Sequence, residues 1–134
     1  MNEQQVRDMQ PGPEMDRTLG LALGYEEILV HEDLERRQKS EHERGTIIRY
    51  GIRYILRRKD QPAVEWSPST TWEGMGLVVE ELRKNYRIDL VLEEGTNYCS
   101  VIYYDYAIYE AGSDISAPHA VAMAALLAIG GAER

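Results

Sequence analysis

The chain has 134 residues, 43% hydrophobic and 28% charged, the balance of one ordinary globular domain with room for its own core. With 15 Lys and Arg against 23 Asp and Glu, the formal net charge of −8 argues against coating nucleic acid or an anionic membrane by bulk electrostatics, though it leaves room for a local basic site. One cysteine, Cys99, has no internal disulfide partner, which fits a reducing cytoplasm. No apolar run approaches the roughly 18–20 residues of a membrane span, and Met1 to Gln10 lacks the apolar core of a signal peptide. Phe is absent while Tyr is 9, so tyrosines must fill aromatic core positions.

Residues 1–13 are polar and close on Pro11-Gly12-Pro13, which reads as a flexible leader. From there residues 14–134 read as a single domain. Met15, Leu19 and Leu23 are spaced as on a helix over Glu14 to Gly24, which Gly24 ends. A charged arm follows at about 26–45, with its apolar residues in the first half, and reads as a helix running into solvent. Over Thr46 to Arg58 the period changes to two. Ile48, Tyr50, Ile52, Tyr54 and Leu56 share one face of a strand, and Arg49, Arg53 and Arg57 share the other. A short strand is expected at Val64 to Trp66. Thr70 with Glu73 has the spacing of a capping box, opening a helix whose stripe is Trp72, Met75, Val79, Leu82 and Tyr86. Arg87 to Glu93 alternates as a strand, and Glu94-Gly95-Thr96-Asn97 connects it to Tyr98 to Tyr104, apolar on both faces as in a central strand. Tyr106 to Tyr109 continues as a strand after a bend at Asp105. Ser116-Ala117-Pro118 opens a last helix with Val121, Ala124, Ala125 and Ala128 on its packing face, stopped by Gly130-Gly131.

Several short segments carry a resemblance. They are Met15-Asp16-Arg17, Leu23-Gly24-Tyr25, Trp66-Ser67-Pro68-Ser69-Thr70 leading to Val79-Glu80-Glu81-Leu82, and Ser116-Ala117-Pro118-His119-Ala120 leading to Ala124-Ala125-Leu126-Leu127-Ala128. Together they resemble the phage ABA sandwich family, small phage and prophage domains. The segments are caps, core positions and helix starts, so they speak to fold more than to activity. Glu26 to Lys59 departs from the family in length and charge. With the elements above, the resemblance implies an α/β fold, a single three-layer α-β-α sandwich whose small antiparallel or mixed sheet of about four strands has helices on both faces. It also implies a phage accessory protein in the bacterial cytoplasm, a class that includes counter-defence factors that bind and hold nucleotide immune signals.

The sharpest local feature is basic. Residues 1–45 carry 6 basic and 11 acidic side chains and residues 61–134 carry 4 and 11, but residues 46–60 carry 5 and 1. Arg49, Arg53 and Arg57 on one strand face suit a small anionic, nucleotide-type ligand, since a guanidinium offers phosphate a bidentate fork. The same residues serve equally as ion-pair partners for the surplus carboxylates on a solvated face. Trp66 or Tyr103 would stack on a base; core packing is the competing reading for each aromatic, and for Trp72 it is the stronger one. The tyrosines of residues 98–109 exceed what one small core needs, which suggests a self-association surface or a pocket rim. A site burying most of a small ligand is built more readily between chains, so a homo-oligomer is expected. His31, His42 and His119 have no metal-ligand spacing, Cys99 sits within a strand, and no acid–base pair converges, so neither an enzyme nor a metal or cofactor site is expected. The alternative is a direct inhibitor that lays its acidic arm, Glu26 to Glu43, into the basic groove of a host defence nuclease; Arg36, Arg37, Lys39 and Arg44 dilute that arm's field.

Overall fold

The computed structural model describes residues 2–31, 52–57, 64–95 and 97–130. Its elements follow local causes. Asn2 opens α1 (Glu3–Asp8) with a capping box, its side chain accepting from the Gln5 N–H while Gln5 reaches back to the Asn2 N–H, both at 2.8 Å. Pro13 starts α2 (Pro13–Ala22), which buries Met15 and Leu19 and is stopped by Gly24 at φ 89°. Thr71 caps α3 (Trp72–Leu82), its hydroxyl accepting from the Gly74 N–H at 3.0 Å. Ser116 caps α4 (Ala117–Ala128) by accepting from the His119 N–H at 3.1 Å.

The described strands form two antiparallel sheets. β1 (Glu26–His31), β2 (Ile52–Arg57) and β3 (Val64–Glu65) make the first, with Glu26 opposite Arg57 and Ile55 opposite Glu65. β4 (Arg87–Leu92), β5 (Tyr98–Tyr104) and β6 (Ala107–Ser113) make the second, with β5 central, Val101 opposite both Asp89 and Glu110. The β5–β6 turn places Asp105 at φ 52°.

The helix α4 organises the core. All twelve of its residues are buried, and it packs against β5 and β6 on one side and against α1, α2 and α3 on others. Side chains alternate across the second sheet: Ile102 and Ala111 face the core, while Val91 and Ile108 face outward, Ile108 at 64% exposure. α2 in turn meets β1 and β2, so contacts run from the first sheet through α2 and α4 to the second. The expected class, a small α/β sandwich with an antiparallel sheet packed against helices, is what forms. Among the described residues no helix is long and apolar enough to cross a membrane.

Four details depart from expectation. The leader holds the ordered helix α1, docked through a fully buried Val6. Glu26–His31 is a strand, because its Ile-Leu-Val run pairs with β2 instead of continuing as a helix; the rest of the arm lies outside the described residues. The described strands divide into two three-stranded sheets, in place of one with about four. The α3 cap is Thr71, one residue later than the expected box, and its stripe is Met75, Val78 and Leu82.

Candidate functional site

The basic strand forms where the alternation places it. Its described part, β2, carries Arg53 opposite Val30 and Arg57 opposite Glu26. The two arginine positions are four residues apart in one strand, the separation that returns to the same side of the pleat. Arg49 lies outside the described residues. The Arg57 side chain is 52% exposed and its guanidinium is 3.8 Å from a Glu26 carboxylate oxygen, an open and long ion pair of small energetic worth.

The other two residues expected at the site are elsewhere. Trp66 is 2% exposed, its indole N–H donating to the Asp16 main-chain oxygen at 2.6 Å and its ring 4.8 Å from that of Tyr25. A ring so enclosed offers no face to a base, and its core role is the correction to the stacking expectation. Tyr103 is half-buried in the second sheet with the Arg87 guanidinium 4.9 Å over its ring. Trp72, expected in the core, is 58% exposed at the first position of α3.

The Trp66 bond belongs to a buried clasp. Asp16, in α2, accepts the Ser69 N–H at 2.7 Å, and the Ser69 hydroxyl accepts the Gly12 N–H at 2.9 Å. Burial pushes the Asp16 carboxyl above its ordinary value of 3.8, with the Ser69 hydrogen bonds acting against that rise. This fixes the turn before α3 onto the start of α2.

A second cluster centres on His119. Its Nε2 lies 2.9 Å from the Met9 carbonyl, which only accepts, so Nε2 bears the proton and Nδ1 accepts from the Ser113 hydroxyl at 2.7 Å. The pairing has the form of a nucleophile and base. The Ser113 oxygen, however, also accepts from the Ile115 and Ser116 N–H groups at 3.0 and 3.4 Å, which occupies its lone pairs. The cluster therefore ties the residues after α1 to the start of α4. Cys99 nearby donates to Glu110 at 3.5 Å; burial first, then Glu110, raises its thiol pKa and keeps it a poor nucleophile.

Two of the clefts on the described surface carry charged side chains. One, of about 360 Å³, lies between β3 and α3 and carries Glu65 and Glu73. The other, of about 550 Å³, lies at the end of the second sheet, bounded by Glu93, Glu110, Asp114 and Arg7, with Ser113 and His119 also lining it. In each, carboxylates outnumber the Lys and Arg side chains among the described lining residues. Among the described residues no group of three His, Cys, Asp or Glu side chains is placed to hold a metal ion. The sequence pattern did not single out Arg87, Glu110 or the Ser113–His119 pair; a lone His just after a Ser-Ala-Pro helix start was their only visible signal. No protein-family model matches the chain, and no curated protein matches it.

Proposed function

We propose that this chain is a phage accessory protein of the counter-defence kind, which binds and sequesters a small anionic, nucleotide-type ligand without catalysis in the bacterial cytoplasm. The observation that supports it best is the basic strand. β2 is a regular antiparallel strand, so Arg53 and Arg57 fall four positions apart within it, and among the described residues Arg57 faces Glu26 in a long ion pair that a phosphate displaces at little cost. The resemblance of the Trp66 to Thr70 and Ser116 to Ala128 segments to phage ABA sandwich domains supports the phage setting. The enclosed Trp66 takes no part in binding. Stacking on a base falls to a tyrosine such as Tyr103, supplied by a second copy of the chain in a homo-oligomer.

Native mass spectrometry of the purified chain, with cyclic dinucleotides and ADP-ribose as probes, tests this reading. Retention of one probe per pocket in a homo-oligomer, and its release unchanged on heat denaturation, is the expected result. Reversing Arg53 and Arg57 to Glu removes that retention while the far-UV circular dichroism spectrum stays the same. Product in excess over protein, or retention unaffected by the reversal, overturns the proposal.

A further inference from the structure

Among the described residues, the second sheet ends in an open edge. Strand order β4-β5-β6 leaves the outer side of β6 paired with no described strand, and its seven residues run in unbroken register against β5. Native sheets blunt such edges with charged side chains, proline, bulges or a covering element; Ala107–Ser113 has no proline, lysine or bulge, and its one charge is the carboxylate of Glu110. Its outward-facing row is Ile108, Glu110 and Gly112, all exposed. The C-terminal half of the strand opens into the cleft of about 550 Å³, where Glu93, Glu110 and Asp114 supply carboxylates. Among the described residues the one Lys or Arg lining that cleft is Arg7, held by Glu3 at 2.9 Å. Tyr98, Ile115 and Met123 give it apolar wall.

We propose that β6 and this cleft receive an extended basic segment of a partner protein, added as a fourth antiparallel or parallel strand. Main-chain hydrogen bonds along the edge supply the affinity, and the side-chain row supplies the selection. Cross-strand neighbours interact at short range, so a Lys or Arg beside Glu110 and an apolar residue beside Ile108 are favoured. A second β6 strand carries the same Glu110 and brings no cation to it, so the charge on this edge favours a basic partner over self-pairing. The surface is separate from the β2 arginines, and binding here is independent of them.

The test uses the full chain and fluorescein-labelled eight-residue peptides. One alternates lysine and threonine, one glutamate and threonine, and one lysine and proline. Fluorescence anisotropy shows saturable one-to-one binding of the lysine–threonine peptide alone. Glu110→Lys weakens it about tenfold or more, and Glu110→Gln weakens it by less, in line with the charge removed. Hydrogen exchange of the complex shows new protection confined to β6 amides. Equal binding of the lysine–proline peptide, which has half the backbone donors, shows charge alone at work and overturns strand addition. Failure of the lysine–threonine peptide to bind, insensitivity to Glu110→Lys, or protection spread over other acidic surfaces overturns it as well.

Discussion

Helices α3 and α4 are nearly equal in length, at eleven and twelve residues, and are packed against each other, yet they are held in opposite ways. α4 is buried on every side. Its run of alanines keeps the cylinder thin enough for a sheet on one side and three helices on the others, and a helix apolar all round belongs in a core. α3 buries one stripe, Met75, Val78 and Leu82, and leaves Trp72 and Leu77 exposed. Its first turn is placed from outside the helix, by the Trp66 to Thr71 turn that Asp16 clasps. α4 thus depends on volume all round, and α3 on a hinge of hydrogen bonds before its start.

The two tryptophans that flank that hinge give the largest test. Trp66→Ala removes a ring at 2% exposure, its contact with Tyr25 and its bond to the Asp16 oxygen. A loss of about 3–5 kcal/mol in urea denaturation is expected. Trp72→Ala, at 58% exposure, costs less than about 1 kcal/mol. Similar losses from both would break the comparison, because they would mean that the exposed ring also anchors α3.

The hinge is also tight in its backbone. A Cβ added at Gly74 would lie 2.6 Å from both the carbonyl carbon and oxygen of Ser67 and 2.7 Å from the Pro68 nitrogen, all main-chain atoms with little room to yield. Gly74→Ala therefore costs about 1–3 kcal/mol, although alanine is the better helix former. A stabilised variant in thermal unfolding would show that the turn before α3 is free to move.

Much of this fold was readable because period and caps are local signals. The β2 and β4 strands lie within the alternating runs that announced them, β5 fills the run that is apolar on both faces, and Gly24 and Gly130 stop helices at φ 89° and 90°. What failed depended on distant partners. Glu26–His31 looks helical by its neighbours in sequence but is a strand because β2 pairs with it. Trp72 fits the stripe of α3 by spacing, yet as the first helical residue it falls outside the packed side, whereas Trp66 is drawn inward by an oxygen fifty residues away. The site was legible to the extent that the arginine alternation marks a strand. The β6 edge was not, since a sequence does not reveal which strand is outermost.

Asp16 gives the hinge a pH dependence of known sign. Its carboxyl titrates above 3.8 in the folded chain because burial disfavours the charge, so the native state binds its proton more tightly than the unfolded state does. Its contribution is therefore greatest below that value, and is lost as pH rises from 3.8 through the higher folded value. Asp16→Asn keeps an oxygen for the Ser69 N–H and has no proton to lose. The stability of the variant relative to the parent should thus improve between about pH 3.5 and pH 7, read as the difference in urea midpoints. A difference that is flat, or that runs the other way, would mean that the hydrogen bonds from Ser69 outweigh desolvation.

The smallest expected effect sharpens the comparison within α3 itself. Gly76 lies two residues beyond Gly74, and a Cβ built there meets nothing within 4 Å. The packing that forbids a side chain at Gly74 is therefore confined to the first turn, where the helix meets the hinge. At Gly76 the remaining consideration is the entropy of the unfolded chain, which glycine raises and alanine lowers. Gly76→Ala should stabilise the protein by about 0.4–1 kcal/mol, a shift of a few degrees in thermal midpoint for a domain of this size. Combined with Gly74→Ala, the two effects should be opposite in sign and nearly additive, since one changes the fit against Ser67 and Pro68 and the other only the reference state. Destabilisation by Gly76→Ala would mean that α3 is clasped beyond its first turn, and would bring it closer to α4 in kind.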